Sequence, residues 1–366
     1  MTDVKDTPEA VDLPEETAWV HDPLWKVRIR LARRSVRNNW KLFKANPVGL
    51  VGLALIGFFL LMATAQPILL GTGVWSKSTY DPVIGVEPNP TVVTRVVVDE
   101  VTDPPSQMGR REARLYDPFA QVGDEISVRQ QPAPPSSRHW LGTDPLGRDV
   151  LSQLMFGARA AFLLGIIAAL VTVFIATSVG SVAAYYGGTT DAIFMRLADL
   201  LLMLPQLALL IALSSVFLDF HLWHLAILIG VLGGFGGTAI VLKSQALSVK
   251  VKPFIDAARI AGGSNMRIIF THLIPNVLPL SFLYMMFTVT GAIATEATLS
   301  FLGLLNVDMS WGIMLQLAQN QGYLISGGNF WWLLFPAGAS VTLLSAAFYL
   351  VGRGMDEVVN PRLRGR

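Results

Sequence analysis

The chain contains no cysteine at all. That excludes disulfides, thiolate zinc sites, iron–sulfur clusters and cysteine nucleophiles together. It is also short of charge: only 15% of its 366 residues are Asp, Glu, Lys or Arg, against about 25% in an ordinary soluble domain. The formal net charge of +2 is too small for a nucleic-acid binder, and the basic residues cluster beside apolar runs instead of forming a stripe. No G-x-x-x-x-G-K-S/T occurs, so no backbone loop is available to cradle a nucleotide's phosphates. H-E-x-x-H and G-x-S-x-G are absent too, which argues against a zinc or serine hydrolase.

What is abundant is apolar sequence: 52% hydrophobic residues, with a mean hydropathy of +0.50. A helix crossing the hydrocarbon core needs about 20 mostly apolar residues. Six stretches qualify, near 48–70, 160–184, 195–218, 223–242, 277–300 and 332–352. The alternative count is five, because the third and fourth are separated by only a few residues. The first run follows a long charged lead and reads as a retained anchor, not a cleavable signal. The fourth is glycine-rich, as close helix packing in lipid favours. Pro205, in mid-span, predicts a kink, since proline removes one backbone hydrogen bond and crowds the preceding turn.

Lysine and arginine in the flanks predict orientation. The lead-in "WKVRIRLARRSVRNNWKLFK" holds eight basic residues and no acid. The fourth span runs into Lys243, Lys250 and Lys252, and the last into Arg353, Arg362, Arg364 and Arg366. All three segments are expected in the cytoplasm, with both termini there and residues 71–158 outside. The lead-in also alternates Trp25, Val27, Ile29 and Leu31 with basic residues, the pattern of an ordinary positive flank or of a helix lying on anionic lipid. Residues 1–20, acidic and rich in Pro and Thr, read as disordered. The loop 71–138 is proline-rich around a β-prone run, "TVVTRVVVDEV", which predicts a small subdomain or hairpin.

The domain reading is therefore a tail and basic arm (1–47), a first span (48–70), an outer segment (71–158), a core of spans (159–353) and a tail (354–366). Within the core, 246–276 is a polar interlude, "PFIDAARIAGGSNMRIIFTHLIPN" at its centre. The spacing predicts a short helix over 254–261, a break at Gly262-Gly263, and a second helix capped by Ser264 and running to about His272. Ile255, Ala258 and Arg259 share one side of the first helix. The interlude can be a structured loop packing on its own bundle or a surface for a partner.

Three further groups invite a chemical reading. Arg196 and Asp199, three apart, can pair or anchor the third span at the interface; a proton relay is the sharper alternative. Glu296, within the fifth span, can face a translocation path or hydrogen-bond within the bundle. His221 and His224 have the i,i+3 spacing of a metal pair, but beside Trp223 they read as an aromatic belt.

"DAARIAGGSNMRIIFTHLIPN" resembles the cytoplasmic loop of binding-protein-dependent ABC importer permeases. Asp256-Ala257-Ala258, Gly262 and Ile274-Pro275 fall at that family's spacing, with Asp256 where Glu is usual. "HWLGTDPLGRDVLSQLMFGARAAFLLG", "DAIFMRLADLLLMLPQL", "TEATLSFLGL", "SWGIML" and "WKLFKANPVGLVGLAL" are similar to the permeases for dipeptides and oligopeptides. Within residues 141–149, turn chemistry and Asp149 as a helix cap are the structural reading; contact with a docked binding protein is the other.

The resemblance implies an all-α integral membrane protein of six transmembrane helices, with a long extracytoplasmic loop between the first two. It implies a permease for peptides in a prokaryotic plasma membrane, not an enzyme. Its partners would be a paralogous permease subunit, two cytoplasmic ATP-binding subunits, an extracytoplasmic solute-binding protein and membrane lipid. No cofactor is implied in this chain, since ATP and Mg would be bound by the partner ATPases. The interlude would be their coupling helix, with Asp256 pairing a basic residue of the ATPase and Gly262 allowing the bend. Nickel or peptide-like antibiotics are alternative cargoes. A secondary transporter working alone is the competing class, against which the absence of an internal repeat counts.

Overall fold

A computed structural model describes residues 40–359, except 89–91, 103–105, 130, 218–219 and 326, with a few positions before residue 40. Tail residues 1–25 and 360–366 lie outside the described residues, so the expectations of disorder and of a membrane-surface arm fall there in whole or in part.

Among the described residues, four helices are long and apolar enough to cross a membrane. The first, α1, is Pro47–Gly71; Asn46 caps it by accepting from the Gly49 amide, and Pro47 sits where a missing N–H costs nothing. The short α2, Lys77–Tyr80, opens the loop. There the β-prone run forms β1, Val92–Val98, followed by β2, Gln107–Gly109, α3, Arg110–Tyr116, and β3, Glu125–Arg129. β1 lies in the middle, parallel to β2 and antiparallel to β3, and the sheet buries Val97, Met108, Ala113 and Val128. The all-α expectation thus holds for the spans, while the loop carries a three-stranded sheet.

The second long helix, α4, is Val150–Tyr186, 37 residues capped by Asp149. It starts ten residues before the expected span because its first turns pack beneath the loop. The third span is not a kinked rod. α5, Gly188–Met203, and α6, Gln206–Val216, meet at 80°. Leu204, pushed extended by the following proline, and Pro205 end one helix and start another. α7, Leu222–Phe235, and α8, Gly237–Lys250, bend by 43° at Gly236. The count of six spans therefore treats each bent pair as one.

The remaining helices are α9, Pro253–Ile260; α10, Asn265–Ile268; α11, Ile274–Phe301; α12, Trp311–Asn320; and α13, Trp331–Val359. α10 and α11 are joined by a π-helical turn, Ile269–Leu273, so 265–301 is one continuous run and the expected boundary near His272 does not exist.

α4 is the central post, packed against α1, α7, α8 and α11. Where α7 crosses it, a β-carbon on Gly230 would lie 2.5 Å from Val171 Cβ, and one on Gly234 2.7 Å from Ile175 Cβ. Only glycine allows that approach. Thr172 uses the closeness to donate to the Gly230 carbonyl, 3.2 Å away. At one end of α4, Trp311 is buried and donates its indole N–H to the Leu154 carbonyl at 2.9 Å. Phe59 meets its ring edge-on. We call this end, with the sheet and the Trp332–Thr143 contact, the loop end. The other, where the chain turns between α8 and α11 and where Gly49 touches Gly354, is the hairpin end.

Candidate functional site

The hairpin end is built from the polar interlude. Pro253 starts α9 at a position that needs no N–H, Asp256 lies in its first turn and Arg259 in its last, the polarity a helix dipole favours. Ile255 is wholly buried and Ala258 half-buried, so one side of α9 is anchored. Burying one such isoleucine is worth about 1.5–3 kcal/mol. The opposite side faces away from the chain: Phe254, Asp256, Ala257 and Ile260 are exposed, Ile260 to 87%.

The expected break falls at the predicted glycines. The Gly263 amide donates to the Ala258 carbonyl and the Gly262 amide to that of Arg259, a Schellman turn with Gly262 at φ +80°. Ser264 then accepts from the Arg267 amide and caps α10. Ile268, Ile269, Leu273 and Val277 are all buried, in one cluster with Ile255, Val179 and Leu242. The Ile274 amide reaches back five residues to Ile269, while Pro275 is exposed.

Asp256, Ala257, Ala258, Gly262, Ile274 and Pro275 are thus brought to one end of the bundle, the first four on the hairpin and the last two where it rejoins a span. Asp256 holds Arg259 at 3.0 Å within its own helix. Lys250 donates to the Ala184 carbonyl at the end of α4, and Lys243 pairs with Asp191. Arg196 and Asp199 are not brought together. Both turn outward on α5, whose one buried residue is Ala198, and no ion pair joins them.

Glu296 lies in α11 toward the loop end, 1% exposed. It accepts from the Ser300 hydroxyl at 2.7 Å, with Ser310 also bonded to it. The structure therefore places it inside the bundle, away from the hairpin. His221 and His224 pair through backbone and ring: the His221 amide donates to His224 Nδ1 at 3.2 Å, and the Trp223 ring lies tilted against that of His224, 3.6 Å between centres.

A polar node at the loop end was not found from the sequence. His139, buried, bonds Asp149 Oδ2 at 2.7 Å and Glu87 Oε2 at 2.8 Å. Arg138 also holds Glu87, at 2.6 Å. Burial disfavours the imidazolium, yet the bonds to Asp149 and Glu87 and their charges outweigh it, raising the His139 pKa above the ordinary 6.5. Asp144 accepts from the amides of Leu146 and Arg148, from the Arg148 side chain and from Gln153, which makes the expected turn. Asp149 and the turn were legible, but Glu87 lies 52 residues from His139 and carries no local signal.

Comparison with known proteins bears on the same segments. The family described as binding-protein-dependent transport system inner membrane component matches residues 176–365, from the last third of α4 through the hairpin and on past α13. The chain is 37% identical over 241 residues to the dipeptide transport system permease protein DppC of Bacillus subtilis, covering 65% of this chain and 73% of that protein. It is 36% identical to the oligopeptide transport system permease protein OppC of the same organism, covering 63% and 74%. It is 32% identical to the oligopeptide transport system permease protein OppC of Mycobacterium bovis, covering 66% and 82%. The spans, the hairpin and these likenesses agree: the chain belongs to the binding-protein-dependent transport system inner membrane components and is a multi-pass permease subunit of a transporter.

Proposed function

We propose that this permease forms half of the path of a peptide importer driven by ATP hydrolysis on separate chains. The observation that carries the reading is α9. It is pinned to the span ends by Ile255 and turned outward through Phe254, Ala257 and Ile260, an apolar face that the described residues leave exposed. Charge bias in the flanks favours a cytoplasmic position for that hairpin and both termini, and the bacterial relatives favour a prokaryotic plasma membrane. There it can seat in a cleft of an ATP-binding subunit, which would hold ATP and Mg. Closure of two such subunits would swing the hairpins and open the path to alternate sides.

The outward face of α5 supports a second permease half. Arg196 and Asp199 stand among exposed Ile193, Leu197 and Leu200. Charges so placed are costly against lipid and favour a protein neighbour or an interfacial position. Peptide cargo is the reading favoured by the names of the relatives. A solute-binding protein would deliver it at the loop end.

Because the chain has no cysteine, Ile260→Cys gives a unique thiol. Purification of the tagged protein from its host with a bifunctional thiol–amine crosslinker is expected to trap an ATP-binding subunit at residue 260. The assembled complex in liposomes is expected to accumulate labelled peptides only with ATP. A chain that purifies alone and moves solute without ATP would overturn the reading.

A further inference from the structure

α4 joins the two ends of the molecule. At 37 residues it is about 55 Å long, with the His139–Asp149–Glu87 node on its first turn and the hairpin against its last. Its final carbonyls have no partners within the helix. The Ala184 carbonyl is taken by Lys250 Nζ at 2.9 Å, a cation at the negative end of a helix dipole. One residue on, the Tyr185 hydroxyl donates to Asn265 Oδ1 at 2.9 Å. The Arg259 guanidinium lies 5.7 Å from the centre of the Tyr185 ring while gripping Asp256. Tyr185 thereby touches both arms of the hairpin, α9 through Arg259 and α10 through Asn265, across the Gly262 turn.

We propose that Tyr185 is a positioning residue that makes the hairpin and α4 move as one body. Resting on the ATP-driven reading above, it would pass displacement of α9 to the full length of α4 and so to the loop end. The chain of contacts is Asp256, Arg259, Tyr185, Asn265, with Lys250 closing the same helix end. The Tyr185 ring is 8% exposed and belongs to the cluster around Ile255, so packing alone would be served by phenylalanine. The hydroxyl serves only the bond to Asn265. Hinged instead of clamped, the hairpin could follow an ATPase without moving the span, which would waste ATP.

The test uses the complete transporter in liposomes, with uptake of a labelled di- to pentapeptide mixture and ATP hydrolysis measured in the same sample. Tyr185→Phe is expected to assemble normally and hydrolyse ATP at the wild-type basal rate. It should carry about fivefold less peptide per ATP, equivalent to about 1 kcal/mol at 1.4 kcal/mol per decade. Asn265→Ala should do the same, and the double variant should be no worse than either single one. Asn265→Asp, which keeps the acceptor oxygen, should retain the wild-type ratio. A wild-type ratio in Tyr185→Phe overturns the assignment. So do additive losses in the double variant, or failure of Tyr185→Phe to assemble, which would make the residue merely structural. Absence of ATP-driven peptide uptake by the wild-type complex would instead refute the importer reading on which the inference stands.

Discussion

Gly262→Val perturbs the hairpin turn with little else at stake. A β-carbon at residue 262 would meet nothing within 4 Å, so there is room for a side chain. The cost lies in the backbone: φ is +80°, where an L-residue pays about 1–2 kcal/mol and a β-branched one is a marked outlier. That corresponds to a roughly 5–30-fold drop in the ratio of the native turn to its alternatives, which bounds the loss of transport. Ile255 and the Ile268–Leu273 cluster hold the hairpin's two arms independently of the turn, so the chain should still insert and fold. The expected result is transport lowered by at most about 30-fold with wild-type amounts of protein in the membrane. Gly262→Asn is the control, because asparagine visits the left-handed region readily, and it should stay near wild type. Uptake in whole cells, normalised to immunoblotted membrane protein, reads both. Normal uptake by the valine variant, or an asparagine variant as impaired as the valine one, would refute the reasoning.

Three other outcomes follow from the packing and the loop-end node. Gly230→Val should overpack the α4–α7 crossing by about 1–3 kcal/mol and lower the thermal midpoint in detergent. Gly57→Val, whose β-carbon meets nothing within 4 Å, should not. Trp311→Phe keeps the ring against Phe59 but removes the bond to the buried Leu154 carbonyl, costing about 1–3 kcal/mol in the same assay. His139 is bound more tightly when protonated, its folded pKa lying above the unfolded 6.5. Its contribution is therefore fully present below about pH 6.5 and lost as pH rises through the folded value. The detergent midpoint of the wild type should therefore fall as pH is raised above about 6.5, and a His139→Gln protein should show a flatter profile.

Features fixed by a few neighbouring residues were legible in the sequence. Asp149 and Ser264 cap the helices they were expected to cap, the glycine pair turns the hairpin, and run length located α1, α4, α11 and α13. Features fixed by distant residues were not. The pairing of β1 with both β2 and β3 and the Glu87–His139 bond depend on which faces meet. A span that is apolar on every side does not declare its packed face. Pro205 gave the right position and the wrong size of effect. The bend is 80° because Leu204 also leaves the helical region, so the helix stops where a mere kink was expected.

Pro275 shows the same difference in reverse. The sequence pattern ends the second hairpin helix near His272 and starts the next span near 277, yet one helical run passes through Pro275. Proline ends a helix because its ring presses on the carbonyl four residues back and its nitrogen donates nothing. At 275 the preceding turn widens instead: the Ile274 amide bonds to Ile269, and the Asn276 side chain donates to the His272 carbonyl. A widened turn is normally less favourable than a regular one, but here both flanks are pinned by burial. Ile268 precedes it, Ile269 and Leu273 form its two ends and Val277 follows, all at 0–1% exposure. Breaking the helix would expose one of those pairs, at about 1.5–3 kcal/mol per side chain. Adding one residue to a turn keeps all four inside. The hairpin therefore stays continuous with α11 through Pro275, and a push on α9 meets a helix instead of a hinge.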